Sequence, residues 1–191
     1  MVEKSPQPVP SIQDIRDATR KKFGRDPCLW QMKIAQAILK GDQDVILTSA
    51  TGSGKMLTFW IPLLFWEKGI QIVCAPLNVL GSINTQALAE YGIPAINVTA
   101  ENATAATFKV RVRSSYHTRI DLNTDQVIED LRYRVVFTNI ETLMKDSLWG
   151  FSNLWKKHEF TRRLISLIFD EAHCISKWAR FRQDYRQVER L

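Results

Sequence analysis

The segment that most constrains this chain is Ser49–Met56, which reads Ser-Ala-Thr-Gly-Ser-Gly-Lys-Met. It follows the apolar run Val45–Leu47, which predicts a buried parallel strand, and it precedes Leu57–Ile61, which predicts the start of a helix. A strand, a glycine-rich loop, a Gly-Lys pair and a helix in this order are typical of a phosphate-binding loop. The alternative is an ordinary glycine-rich turn between a strand and a helix.

The residue types inside the loop suit a phosphate chain. Gly52 and Gly54 carry no Cβ, so their backbone N–H groups can turn inward around phosphate oxygens. Thr51 and Ser53 complete the loop, and the N-terminus of the following helix adds unpaired N–H donors. Lys55 supplies a full positive charge for the β- and γ-phosphates.

Met56 breaks the pattern of the loop. The position after the lysine ordinarily carries Ser or Thr, whose hydroxyl binds Mg²⁺. A thioether is a soft ligand and Mg²⁺ prefers hard oxygen, so we expect the metal to be held weakly. Nucleotide binding should therefore survive better than hydrolysis.

A second polar cluster, Asp170-Glu171-Ala172-His173, follows the apolar run Leu164–Phe169. Open α/β sheets bind ligands at the carboxyl ends of their strands. There Asp170 can hold Mg²⁺ directly or through its waters, and Glu171 can orient or deprotonate a water. His173 can couple the nucleotide site to a ligand bound nearby. The alternative is an acidic cluster that caps a loop.

The rest of the chain alternates between predicted strands and helices. Strands are predicted at 45–47, 70–75, 93–98, 133–138 and 164–169, and helices at 12–22, 30–39, 57–61, 139–144 and, after a strand exit over 76–81, up to about residue 91. This alternation predicts an α/β fold with a mostly parallel sheet and helices on both faces. Residues 1–10 contain three prolines and are expected to form a flexible lead-in to a single lobe over 11–191.

Two segments have more than one interpretation. Residues 109–130 show weak periodicity and include four cations, which favours a mobile, solvated inserted loop over a DNA contact: Lys109, Arg111, Arg113 and Arg119. Aromatic residues cluster between 147 and 160, where core packing is favoured over base stacking: Trp149, Phe151, Trp155 and Phe160.

Composition narrows the class of protein. The 191 residues are 45% hydrophobic, which is enough for a substantial core. The net charge of +6 suits a polyanionic partner, although a solvated basic surface is the alternative. Three widely spaced cysteines indicate buried thiols in a reducing compartment. The sequence has no apolar run of transmembrane length and no signal-peptide core, so a soluble intracellular protein without a membrane partner is expected.

Together these motifs resemble the superfamily 2 helicases. Residues 174–186 look like the aromatic-rich loop of RecQ-type DNA helicases, and Phe23-Gly24 with Pro27 and Gln31 looks like their adenine-recognition motif. Pro76-Leu77 is similar to helicase motif Ia, and residues 138–141 are similar to motif Ib. The resemblance covers about residues 12–191.

The resemblance implies a RecA-like P-loop NTPase fold of the DEAD/DEAH type, with ATP and Mg²⁺ as cofactors and DNA as partner. Gln31 would read adenine, and residues 51–55 would grip the phosphates with Met56 beside them. Lys55, Asp170 and Glu171 would be catalytic, with Asp170 on Mg²⁺. The DNA-binding residues would be His173, Trp178, Phe181 and Arg182, since aromatic faces stack on bases and cations hold phosphates.

The family uses ATP to move 3′ to 5′ along DNA and separate its strands, in DNA repair and recombination. A nuclear location is expected from that role, with the cytoplasm as the alternative. In the aromatic-rich loop this sequence departs from the family at four positions: Lys177, Ala179, Arg180 and Gln183.

The sequence after this loop also differs from the family. It stops at Leu191 without a second RecA-like lobe, so we expect this chain alone to hydrolyse ATP poorly and not to translocate. The alternative function is a degenerate helicase fragment that binds ATP or DNA without turnover. A P-loop kinase or GTPase is disfavoured because no Asn-Lys-x-Asp motif is present.

Overall fold

The computed structural model describes residues 9–108, 132–146 and 150–178. Within these ranges the strands form one four-stranded parallel sheet of order β2-β3-β1-β4. The strands are β1 (Ile70–Cys74), β2 (Ala95–Val98), β3 (Val135–Thr138) and β4 (Leu164–Phe169). The predicted parallel α/β architecture is therefore confirmed, and β2, the third predicted strand, lies at an edge of the sheet.

The helices connect these strands and follow the expected capping signals. They are α1 (Ile12–Phe23), α2 (Leu29–Lys40), α3 (Lys55–Trp60), α4 (Asn78–Glu90), α5 (Ala105–Phe108), α6 (Ile140–Met144), α7 (Phe151–Leu154), α8 (His158–Thr161) and α9 (His173–Trp178), with a 3₁₀ helix at Ile61–Leu64 after α3. Ser11 and Asp14 form a reciprocal capping box at the start of α1. Gly41 ends α2 at φ 63°, a left-handed conformation that suits glycine.

The sheet is buried on both faces because successive strand residues point in opposite directions. On one face Val73, Val135 and Phe137 pack against α1, α2, α3 and the end of α4. On the other face Ile72 and Val136 pack against α5 to α9. This arrangement confirms the predicted two-sided cover, and it explains why the central strands β1 and β3 are buried along their whole length.

The aromatic residues of the 150–160 segment belong to the core. Phe151 meets Phe108 edge to face with ring centroids 5.2 Å apart, and Trp155 lies between Phe151 and Phe160. Phe151 and Phe160 are buried. Core packing, the interpretation favoured from sequence, is confirmed for these three residues, while Trp149 lies outside the described residues.

The predicted strand over Val45–Leu47 is wrong. Residues 44–50 belong to no strand or helix and carry no sheet pairing, and the Ile46 side chain is 93% exposed. An apolar run becomes a strand only when a neighbour supplies its backbone hydrogen bonds. In the described sheet β1 and β3 are each paired on both sides, and residues 44–50 pair with neither outer strand.

Several predicted features fall on residues that the structure does not describe. These are the lead-in up to residue 8, the whole of the expected loop at 109–130 with its four cations, and the end of the aromatic-rich loop with Phe181 and Arg182. Within the described ranges, no helix is both long enough and apolar enough to cross a bilayer. The three cysteines are free thiols, as expected, although Cys28 is exposed while Cys74 and Cys174 are buried.

Candidate functional site

The candidate site lies at the edge of the sheet where the parallel strands end. β1, β3 and β4 run side by side in register, so Cys74, Thr138 and Phe169 are near neighbours at that edge. Asp170 extends the pairing by one step, because its N–H donates to the Cys74 carbonyl at 2.9 Å. The residues that directly follow these strands therefore lie at one edge of the sheet, which is where open α/β sheets bind their ligands.

The glycine-rich loop adopts a conformation that its glycines permit. Gly52 and Gly54 have φ values of 78° and 81°, in the left-handed region that side chains disfavour. The Ser53 N–H donates to the Ala50 carbonyl at 3.2 Å, which closes a tight turn. α3 then begins at Lys55, and the buried Thr58 hydroxyl donates to the Lys55 carbonyl at 2.6 Å. Thr51 and Ser53 are exposed on this loop.

Lys55 joins the loop to the acidic end of β4. Its Nζ lies 3.0 Å from Asp170 Oδ1 and also contacts Glu171 Oε1, a residue 116 positions away in sequence. The Asp170 side chain is only 9% exposed and the Lys55 side chain 26%. The structure therefore brings together the two motifs that the sequence placed at a shared edge, while the catalytic roles of these residues stay predictions.

Electrostatics strengthen this triad. Burial lowers the pKa of Lys55, but its hydrogen bonds to Glu171 and Asp170 outweigh burial and hold the pKa above its ordinary value. The hydrogen bond from Lys55 lowers the pKa of Glu171 against the opposing effect of burial. Both groups therefore stay charged over a wider pH range than they would in isolation.

Glu171 has an unusual backbone. Its φ of 53° lies in the left-handed region, which non-glycine residues adopt at a cost of about 1 kcal/mol or more. Its N–H donates to Asp170 Oδ1 at 3.0 Å, and its Oε2 lies 3.3 Å from His173 Nδ1. The turn thus directs one oxygen of Glu171 to Lys55 and the other to His173, whose side chain is largely exposed.

Gln31 ties α2 to the phosphate-binding loop. Its Oε1 accepts from the Cys28 N–H at 2.8 Å and its Nε2 donates to the Gly54 carbonyl at 3.0 Å. The residue is 5% exposed. A primary amide offers two lone pairs and two N–H groups, so each end of Gln31 keeps one hydrogen-bonding capacity beyond these bonds.

A cleft of about 310 Å³ lies beside the loop, between the turn before α2, α3 and the end of α4. Its lining combines apolar, aromatic and charged side chains: Arg25, Asp26, Cys28, Gln31, Gly54, Met56, Leu57, Trp60, Ala87, Glu90 and Tyr91. Met56 thus forms part of the cleft wall, where it packs partly against the core. Neither Trp60 nor Tyr91 was predicted, because each enters the cleft through tertiary packing and lies in no recognisable motif.

A polar network continues the same edge away from the loop. Asn78, at the start of α4, accepts at its Oδ1 from Asn139 Nδ2 at 2.9 Å, and Asn139 Oδ1 accepts from the Thr142 N–H at 2.8 Å. Asn97 Nδ2 donates to the Asn78 carbonyl at 2.9 Å and to Ser82 Oγ at 3.0 Å. The segment similar to motif Ib is therefore bonded, through Asn139, to Asn78, the residue that follows the Pro76-Leu77 segment similar to motif Ia.

Mg²⁺, the metal expected from sequence, fits only part of the donor set at this edge. Asp170 offers hard carboxylate oxygens and suits the ion, whereas the Met56 thioether does not. In the described ranges no group of three or more His, Cys, Asp or Glu side chains is arranged to hold a metal. The site therefore fits a metal held by Asp170 together with oxygens that the ligand or water brings.

The predicted DNA-binding residues are only partly described. His173 begins α9 beside Glu171, and the backbone of Trp178 ends that helix. Phe181 and Arg182 lie outside the described residues. Their predicted contact with single-stranded DNA stays a prediction.

Comparison with known proteins identifies a matching family and several similar helicases. The sequence model of the DEAD/DEAH box helicase family matches residues 29–191. The chain is 30% identical to rat ATP-dependent DNA helicase Q5 over 93% of its length and 25% identical to ATP-dependent DNA helicase RecQ of Synechocystis over 94%. It is 27% identical to rat ATP-dependent DNA helicase Q1 over 76% of its length. These matches confirm the predicted resemblance to RecQ-type helicases.

The chain spans only part of these relatives. It covers 17% of helicase Q5, 34% of the Synechocystis protein and 21% of helicase Q1. Among solved structures, the DUF1998 helicase MrfA bound to DNA and AMPPNP matches 94% of this chain and 25% of its own, with a TM-score of 0.55 and 16% identity. That likeness shows a shared fold and supports the predicted RecA-like architecture.

Proposed function

This chain belongs to the DEAD/DEAH box helicase family, and from that premise we propose that it is the ATP- and DNA-binding lobe of a RecQ-like 3′–5′ DNA helicase. The observation that carries the proposal is the salt bridge of Lys55 Nζ with Asp170 Oδ1 at 3.0 Å. It joins a phosphate-binding loop to an acidic strand end, which is the minimum a nucleoside triphosphatase of this type needs.

Each residue at the edge has a proposed task. The N–H groups of residues 51–54 hold the phosphates nearest the sugar, and Lys55 meets the outer phosphates. Glu171 orients or deprotonates the attacking water. Asp170 holds Mg²⁺, which would neutralise charge that develops on the phosphate during hydrolysis.

The base is proposed to lie in the cleft beside the loop. Gln31 reads adenine with its spare lone pair and spare N–H, while the Trp60 and Tyr91 rings supply apolar surface. Because Gln31 is also hydrogen-bonded to the Gly54 carbonyl, a base bound in the cleft would directly affect the position of the phosphate-binding loop.

DNA is proposed to follow the rest of the edge. The bonded starts of α4 and α6 at Asn78 and Asn139 provide amide and backbone donors suited to phosphate oxygens. His173, together with Trp178, Phe181 and Arg182, would grip a single strand by stacking and charge. Translocation is proposed to require a second RecA-like lobe as partner. A nuclear location and a role in DNA repair or recombination are proposed from the DNA ligand.

A second candidate function is favoured by one position. Met56 replaces the hydroxyl residue that ordinarily binds the metal, so the chain would bind ATP or DNA without efficient turnover. The two candidates share the nucleotide site and differ in hydrolysis.

DNA-stimulated ATP hydrolysis by the purified chain, measured beside Met56→Thr, separates these candidates. We expect weak turnover in the natural chain and a gain of at least fivefold in Met56→Thr. Strong turnover in the natural chain would reject the claim that Met56 limits it. If neither form binds a fluorescent ATP analogue, the nucleotide site itself is refuted.

Single-strand binding tests the DNA part. Fluorescence anisotropy with a labelled oligonucleotide is expected to show weaker binding when Trp178→Ala is combined with Arg182→Ala. Lys156→Ala, an exposed lysine outside these motifs, is the matched control. Equal affinity of all three proteins would remove this loop from the DNA site.

A further inference from the structure

The lysine that should hold the outer phosphates is already engaged by two carboxylates of its own chain. An ammonium has three N–H donors, and Lys55 directs them at Asp170 and Glu171. Resting on the proposed nucleotide-binding function, we propose that this contact is a latch, and that the site binds a nucleoside triphosphate no more than about threefold more tightly than the corresponding diphosphate.

Opening the latch is unfavourable because of where the carboxylates lie. The Asp170 side chain is nine-tenths buried, and a buried charge that loses its partner is strongly destabilising. In the described ranges, the salt bridges of these two acids run to Lys55 and to His173. If Lys55 left to meet a γ-phosphate, Asp170 would depend on a bound metal ion for its counter-charge.

Met56 removes a side chain that usually helps to compensate the charge of these acids. In related sites a hydroxyl at this position helps to fix a divalent cation, which offsets the acids when the lysine moves to the phosphates. Met56 instead contributes its thioether to the cleft wall and to the core. The γ-phosphate therefore gains a lysine contact only at the expense of two existing ones.

The inner phosphates do not face this competition. They are held by loop N–H groups, and the loop is fixed independently of Lys55 by the bond from Gln31 to the Gly54 carbonyl and by the left-handed conformations of Gly52 and Gly54. The cleft for the base is likewise lined by residues outside the triad. Affinity should therefore come mainly from the part of the ligand that ADP and ATP share.

Isothermal titration with ADP and with the non-hydrolysable triphosphate AMPPNP, both with Mg²⁺, tests the proposal. For the natural chain we expect AMPPNP to bind no more than threefold tighter than ADP. Glu171→Gln removes one anchor of Lys55, so AMPPNP should gain at least fivefold while ADP changes less than twofold. Glu159→Gln, an exposed acid on α8, should change neither ligand.

The outcomes separate the latch from the function on which it rests. AMPPNP binding more than threefold tighter than ADP in the natural chain, or an equal response of both ligands to Glu171→Gln, would overturn the latch and leave nucleotide binding in place. Absence of binding by both ligands would overturn the nucleotide site as a whole. Met56→Ser gives an independent check, because a hydroxyl there should restore preference for AMPPNP when Mg²⁺ is present.

Discussion

Replacing Gln31 by Ala should reduce both the stability of the fold and its discrimination between nucleotide bases. The change removes the hydrogen bond from the Cys28 N–H at 2.8 Å and the bond to the Gly54 carbonyl at 3.0 Å. A hydrogen bond contributes about 0.5 to 1.5 kcal/mol net, so the free energy of unfolding should fall by about 1–3 kcal/mol. Urea denaturation followed by tryptophan fluorescence measures this difference.

The same amide has one lone pair and one N–H left for adenine. Two hydrogen bonds of the same strength correspond to roughly 5- to 150-fold in affinity, so Gln31→Ala should lose most of the preference for ATP over GTP. Competition of each nucleotide against a fluorescent ATP analogue measures the preference before and after the change.

Gln13→Ala is the matched control, since Gln13 is exposed on α1 and its side chain donates to Asp17 of the same helix. It should alter stability by less than about 0.5 kcal/mol and leave base preference unchanged. If Gln31→Ala behaves like this control in both assays, the link between base pocket and loop is refuted. A loss of stability with base preference intact would keep the tie to the loop and reject adenine recognition.

The remaining predictions concern the scaffold around the site. Arg134→Ala should lower the free energy of unfolding by about 2–4 kcal/mol, because the Arg134 guanidinium donates to the carbonyls of Leu63, Trp66 and Gly69. Arg162→Ala, which removes an exposed arginine, is the control, and an equal fall in both variants would contradict this prediction. Gly81→Ala should cost about 1–3 kcal/mol, because the added Cβ would clash with Asn97 Oδ1; unchanged urea denaturation would show that Asn97 moves freely. The pKa of Glu171 is lowered in the fold, so its contribution to stability is present above the ordinary carboxyl pKa and is lost as pH falls through the lowered value. The pKa of Lys55 is raised, so its contribution to stability is lost as pH rises through the raised value. Thermal unfolding across pH should therefore show a smaller acid loss in Glu171→Gln, and equal acid loss in both proteins would oppose this assignment.

Local signals in the sequence predicted most of the scaffold. Ser11 with Asp14, and Gly41, mark helix ends through hydrogen bonds or backbone conformations confined to a few residues. The apolar runs of β1 and β4 are strands because both find parallel partners. The helix ends depend on short stretches of chain, so the sequence alone is sufficient to locate them, whereas the strands also needed their partners.

The strand expected over Val45–Leu47 failed for a non-local reason. Apolar composition favours burial, but a strand also needs a neighbour for its backbone groups, and sequence patterns do not report whether that neighbour exists. The exposed Ile46 is the visible consequence.

The site was predicted in outline and its internal contacts were not. Lys55 and Asp170 could be placed at one edge because parallel strands end together there. The engagement of Lys55 by both acids, the second bond of Gln31 and the place of Met56 in the cleft depend on side-chain packing between distant segments. Tyr91 enters the cleft from the end of α4 in the same way.

The most direct test of the central claim is equilibrium binding of a fluorescent ATP analogue to the natural chain, Lys55→Ala and Lys156→Ala. If Lys55 and Asp170 share one phosphate site, Lys55→Ala should bind at least tenfold more weakly, because the loss of the ammonium leaves two carboxylates facing the phosphates. Lys156→Ala, which removes an exposed lysine, should bind like the natural chain. Equal affinity of all three proteins would contradict the account.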